Sequence, residues 1–244
     1  MSKKKTKDEV EQHKIQAIGK LTTLIDAISQ TDPMKADKFC YWLEDYCSFL
    51  NYEKEFIPTR LKRYKRGDII KAHLGFNIGS EEGGLHYCIV LDKTNNLSSP
   101  ALTVLPLTSL KDKHKIEKLR KGELYIGNEI YDSLSQKISN CYSATMKEFY
   151  DLSNKSQLKE PIPKSYLDDI AANLNSVKNM QDELNKMKNG SVALIGQITT
   201  ISKIRIYTPK TKYDTLSGIR LCPDTLDKID NEICNLFIGI SHKN

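Results

Sequence analysis

The chain has 244 residues, 39% hydrophobic and 28% charged, so it can bury a core and lacks the makeup of a disordered segment. Its 37 basic and 31 acidic residues leave a formal charge of +6, which favours polyanionic partners only weakly. No stretch approaches the ~20 apolar residues of a membrane span, and MSKKKTKDEV leads into no apolar run, so neither a membrane anchor nor a signal peptide is expected and the placement is cytoplasmic.

In chain order, Val10, Ile18, Leu21, Ile25 and Ile28 fall at helical spacing over about Asp8 to Ser29. Asp32-Pro33 then caps and opens a second helix, running to about Leu50 with Ala36, Cys40, Leu43, Cys47 and Leu50 on one face. Two amphipathic helices joined by a short turn predict a hairpin, either packed on the rest of the protein or on a mate, or covering an active surface. LKRYKR at 61–66 sets basic residues around Tyr64. Such a run can track a nucleic-acid backbone and stack a base, and more commonly forms a solvated lead into a strand.

The stretch Arg66 to Ser109 reads as strand, polar glycine-bounded loop, strand, turn, strand. Ile69 and Ile70 centre the first strand; Gly75 and Gly79 bracket a loop ending in Ser80-Glu81-Glu82-Gly83-Gly84. HYCIVL (86–91) and LTVLPL (102–107) are apolar, β-branched runs, with Asn95-Asn96 and Ser98-Ser99-Pro100 marking the turn between them. Glu81, His86 and Thr108 therefore sit at strand ends or in the joining loop, where they can meet on one rim. KDKHKIEKLRKGE (111–123) follows directly and is the densest basic segment, offering Lys111 and Lys113 as phosphate contacts if it folds over a substrate. Leu124 to Ile126 predicts another short strand.

From about Ser133 to Met187 the pattern is helical, with Leu167, Ile170, Leu174, Val177, Leu184 and Met187 near heptad spacing and Asn189-Gly190 as a stop. Ser191 to Ile206 returns to strands and presents Gln197 and Thr199; Lys203 to Tyr207 predicts one more. Pro223 opens a last helix whose apolar face is Leu226, Ile229, Ile233, Leu236 and Phe237. The six cysteines, Cys40, Cys47, Cys88, Cys141, Cys222 and Cys234, show no CxxC pair and predict buried, reduced thiols. No histidines or carboxylates have metal-ligand spacing, and GSEEGG lacks the lysine and helix of a nucleotide-binding loop, so no metal and no cofactor are expected.

RGDII, GSEEGGLHYCIVL, LTVLPLTS and SVALIGQITTISKIRI, in that order, resemble the core motifs of the MazF/PemK family over roughly 66–127 and 190–240. Those are RNA-cleaving toxins of bacterial toxin–antitoxin pairs. The resemblance implies an α+β fold: a small SH3-like β-barrel (MazF/PemK/CcdB-like) over 61–244, with an N-terminal helical extension (1–60), a helical insertion at about 133–189 and a C-terminal helix. It further implies single-stranded RNA as substrate, an antitoxin protein as partner and a homodimer. Many members carry Arg-Pro where this chain has His86-Tyr87, and that arginine is the family's main catalytic residue.

RNA is cleaved through attack by its own 2′-hydroxyl, which needs a base, an acid for the departing 5′ oxygen and donors to the phosphoryl oxygens. Histidine suits the proton-transfer role near neutral pH, so His86 is the candidate, with Glu81 to orient or charge it. Thr108, matching the family's threonine after the third strand, would donate to the phosphoryl oxygens. Ser109, Ser80, Lys111, Lys113, Gln197 and Thr199 are candidate substrate contacts. The alternative is a catalytically inactive barrel that binds protein or nucleic acid, as the CcdB-type gyrase poisons do, or acts as a scaffold.

Overall fold

The computed structural model describes residues 5–110, 113–157, 163–187 and 190–239. The chain divides into two compact units, Met1–Phe56 and Ile57–Asn244. The first is a pair of helices packed on each other, α1 (Lys7–Thr31) and α2 (Pro33–Tyr52). Thr6 and Glu9 cap α1 reciprocally: the Thr6 amide donates to Glu9 Oε2 at 2.7 Å, and the Glu9 amide to Thr6 Oγ1 at 3.3 Å. Asp32 caps α2 by accepting from the Lys35 amide at 2.9 Å, with Pro33 in the first turn. Trp42 packs near Tyr46 and Phe49 along α2.

The second unit is mixed helix and antiparallel sheet. Its strands are β1 (Ile69–His73), β2 (Leu85–Val90), β3 (Ala101–Ser109), β4 (Glu123–Gly127), β5 (Ser191–Leu194), β6 (Thr199–Ser202) and β7 (Ile206–Thr208). The hydrogen-bonded path is β4-β5-β3-β2-β1-β7, with β6 also on β3. The nine-residue β3 is the hub. Its start pairs with β6, its middle with β2 and its end with β5, so the site-bearing residues Thr108 and Ser109 lie beside β5.

The apolar runs YCIV of β2 and VLPL of β3 are uninterrupted because both faces of the sheet are covered. Ile69, Ile89, Leu105 and Leu107 face one core; Ile70, Ala72, Cys88, Val90, Leu102 and Val104 face the other, with Tyr64, Ile201 and Ile206. The period of two assigns alternate residues to the two cores. The sheet is open: β4 and β7 end the path and do not pair among the described residues, so the closed barrel expected from the sequence is not seen. β7 has three residues and meets β1 across a register shift at Lys71/Ala72, which leaves little strand to extend the ladder.

The insertion is a helical pair, α3 (Glu129–Gln157) and α4 (Lys164–Lys186), which pack on each other. It leaves after β4 and returns into β5, and those two strands pair, so both of its ends are fixed. The Gly190 amide closes the neck by donating to Asn128 Oδ1 at 2.7 Å. Ile130, Leu134, Met180 and Leu184 then join the first core together with Ile229 of α5 (Pro223–Ile233). Glu129 caps α5, accepting from the Cys222 amide and from Thr225 Oγ1. A π-helical turn, Cys234–Ile238, follows.

Three expectations change. Tyr64 is 1% exposed and its hydroxyl donates to the Pro209 carbonyl at 2.7 Å, so it braces the fold and stacks no base. Lys62 and Arg66 of the same run are held by Asp68, and by Asp230 and the Leu91 carbonyl. Lys203–Arg205 forms a 3-10 turn where a strand was expected, because Lys203 is buried and its ammonium donates to the Asn96 carbonyl at 3.1 Å. Of the cysteines only Cys88 is buried, where burial pushes its thiol up to about 12; Cys47 and Cys222 are exposed.

Candidate functional site

The site begins with the pinched loop between β1 and β2. The Leu74 amide donates to the Gly84 carbonyl at 2.7 Å, and the Gly84 amide to the Gly75 carbonyl at 2.6 Å. Gly75 and Gly84 take φ of 113° and 85°, and a Cβ on Gly83 would lie 2.8 Å from the Gly75 carbonyl oxygen. Only glycine permits this approach. Gln197 then clamps the loop: it accepts from the Glu82 amide at 3.3 Å and donates to the Ser80 carbonyl at 3.2 Å.

The clamp fixes where the carboxylates go. Glu81, expected beside His86, instead turns back and accepts from the Ile78 amide at 3.4 Å. Glu82 takes the place: its Oε1 is 3.0 Å from His86 Nε2, and the two side chains are 27% and 26% exposed. His86 Nδ1 lies 3.2 Å from the Leu107 carbonyl. That oxygen can only accept, so Nδ1–H donates to it, and Nε2 faces the Glu82 carboxylate. The imidazole is held at both nitrogens, by its own loop and by the strand that carries Thr108.

His86, Thr108 and Ser109 border one cavity of about 140 Å³, closed on its other sides by Tyr87, Tyr131, Lys186, Met187 and Ser191. The imidazole and the Thr108 hydroxyl thus border the same cavity. Ser80, Glu81, Gln197 and Thr199 do not line this cavity; Thr199 pairs with Val104, at the other half of β3 from Thr108. Lys111 lies outside the described residues, as does the side chain of Lys113.

Glu82, Lys186, Tyr131 and Ser191 are the residues that reading the sequence missed. The four-residue step from Glu82 to His86 was a usable signal. For Lys186 there was none, since it arrives at the end of the inserted α4. Among the described residues lining the cavity Lys186 is the one cation.

A clasp beneath the cavity brings it there. Glu183 Oε1 accepts from the Tyr87 hydroxyl at 2.5 Å and from Lys71 Nζ at 2.8 Å, tying α4 to β2 and β1. Burial raises the Glu183 carboxyl, but the two hydrogen bonds and the Lys71 charge outweigh it and hold the group below its usual range. Burial and the same carboxylate push the Tyr87 phenol up, so it stays a neutral donor.

Among the described residues no group of three or more His, Cys, Asp or Glu side chains could hold a metal ion, and no helix is long and apolar enough to cross a membrane. No curated protein matches the chain. A family model, described as PemK-like, MazF-like toxin of type II toxin–antitoxin system, matches residues 65–177. The match takes in β1 to β4, all of α3 and more than half of α4, and so includes His86, Thr108 and Ser109. It extends through most of the insertion, where the sequence motifs had left a gap, and ends before Lys186 and the 190–240 motif. Over residues 65–177, a little under half of its length, the chain is thus similar to the PemK-like, MazF-like toxins of type II toxin–antitoxin systems.

Proposed function

We propose that the protein is a sequence-selective endoribonuclease toxin that cleaves single-stranded RNA by 2′-hydroxyl attack, without requiring a metal. The observation that carries the reading is one cavity bordered by a carboxylate-backed imidazole, a hydroxyl pair and an ammonium. In this scheme the 2′ oxygen attacks phosphorus, a 2′,3′-cyclic phosphate forms and the 5′ oxygen leaves with a proton. His86 takes the 2′ proton at Nε2, where the substrate displaces the Glu82 carboxylate, and delivers it to the departing 5′ oxygen, while the Leu107 carbonyl fixes the ring at Nδ1. Thr108 and Ser109 donate to the phosphoryl oxygens, and Lys186 holds the phosphate charge. Here Lys186 supplies the charge clamp and His86 the proton transfer, in place of the family's arginine, which is hard to deprotonate.

The wider assignment follows the family: an SH3-like strand arrangement over 61–244, an accessory 1–60 extension, a homodimer, an antitoxin partner and action in the cytoplasm. RNA incubated with the protein in EDTA should yield fragments ending in 2′,3′-cyclic phosphate and 5′-hydroxyl. Intact RNA would leave the binding-module alternative in its place, and 5′-phosphate ends that need a divalent metal would overturn the 2′-hydroxyl scheme.

Lys186 is separately testable. Lys186→Ala should raise KM about 10-fold, and the slope of log KM against log salt should fall by about 0.7, the share of one phosphate contact on a single strand. Lys186→Arg should keep both near wild type. An unchanged salt slope in the alanine variant removes Lys186 from the phosphate.

A further inference from the structure

We propose that a second cleft on the same face of α4, lined mainly by amides and hydroxyls, binds a nucleobase of the RNA a few nucleotides from the scissile phosphate, and sets sequence preference there. This rests on the ribonuclease reading above. The cleft, about 710 Å³ and open, lies between α4 and the 208–215 segment; Asn173, Asn175, Ser176 and Asn179 face Tyr213 and Thr215 across it.

Three observations carry the assignment. The first is position. Ala172, Ser176, Asn179, Glu183 and Lys186 recur at four- and three-residue steps, which places them on one helical face. Ala172, Ser176 and Asn179 line the cleft, Glu183 makes the clasp and Lys186 lines the His86 cavity. Asn179 and Lys186 are two turns apart, about 10 Å along the axis. On the sheet side, Lys71 of the clasp pairs directly with Thr208 of the cleft, one strand spacing of about 4.8 Å away. A strand of RNA with its phosphate at Lys186 thus has the cleft within reach along the helix.

The second is stiffness. Pro209 accepts from the Tyr64 hydroxyl and Lys210 from the Lys62 amide, both at 2.7 Å. Asp214 accepts from the Lys210 amide at 2.6 Å and from Thr211 Oγ1 at 2.6 Å. From α3, Lys137 Nζ donates to the carbonyls of Asp214, Thr215 and Ser217 at 3.3, 2.8 and 2.8 Å. At the tip of this braced loop Tyr213 is 78% exposed, with Lys212 over its ring at 4.8 Å. An aromatic presented this rigidly loses little entropy when a base stacks on it.

The third is chemistry. Among the described residues of the lining Asp214 is the one carboxylate, and its oxygens are occupied by the turn, so the wall opposite Tyr213 is made of amides and a hydroxyl. Amides match the mixed donors and acceptors of a base edge, whereas a phosphate would want the cation that stands in the other cavity.

The test compares wild type, Tyr213→Ala, Tyr213→Trp and Asn179→Ala on a randomised RNA pool and on a dinucleotide too short to span both sites. Tyr213→Ala should raise KM on long RNA about 10-fold, flatten base preference at one position and leave dinucleotide cleavage unchanged. Asn179→Ala should flatten the same position, and Tyr213→Trp should retain wild-type behaviour. Cleavage by wild type with KM and preference unaltered in both alanine variants overturns the cleft alone. Absence of RNA cleavage by wild type overturns the nuclease reading, and the cleft with it.

Discussion

His86→Ala is expected to lower RNA cleavage at least ~100-fold while leaving the fold intact. The size follows from the ring's position: among the described residues lining the cavity no other is an imidazole or a carboxylate, the groups best suited to proton transfer near neutral pH. The small structural cost follows from geometry as well. The side chain is about a quarter exposed, and its losses are one hydrogen bond to a carbonyl and one contact to a carboxylate that can turn to water. Glu82→Gln separates orientation from charge, since the amide keeps the shape and loses the negative partner. Its cleavage should fall less than that of His86→Ala, with an altered pH profile. Cleavage of His86→Ala at wild-type rate, with an unchanged melting temperature, would remove the imidazole from the chemistry.

What was legible in the sequence was what local physics decides. Asp32-Pro33 and Pro223 announce helix starts because a cap and a fixed φ act within one turn. HYCIVL and LTVLPL announce strands because a sheet covered on both faces needs uninterrupted apolar runs. The choice between Glu81 and Glu82 was not local: Gln197, far along the chain, holds the loop so that Glu82 meets the imidazole. The basic run around Tyr64 read as a solvated strand entrance, with base stacking as the rarer use, yet Tyr64 is buried and its hydroxyl is claimed by Pro209. Whether the strands close into a barrel is likewise a long-range matter, decided by how little strand β7 offers. Lys186 reaches the site only because an inserted helix is clasped to the sheet.

That clasp sets the second large effect. Glu183→Ala should cost about 3 kcal/mol of stability, the low end for removing one partner of a buried ion pair. Glu183 and Lys71 are 12% and 14% exposed, so the stranded ammonium and the Tyr87 hydroxyl regain little water. A urea midpoint that falls with unchanged m would report it. The pH dependence has a definite sign. The Glu183 carboxyl sits below its ordinary value of 4.5 in the fold, so its contribution is fully present above that pH and is lost as pH falls through the lower, folded value. The stability gap between wild type and Glu183→Gln should therefore be constant near neutrality and close below about pH 4.5. Activity should fall too, through KM, because α4 no longer presents Lys186 to the cavity. Lys186→Ala loses the phosphate contact without loss of stability, whereas Glu183→Ala loses both. A Glu183→Ala protein as stable as wild type would show that the clasp does not hold the inserted helix, and the account of how Lys186 is positioned would fall with it.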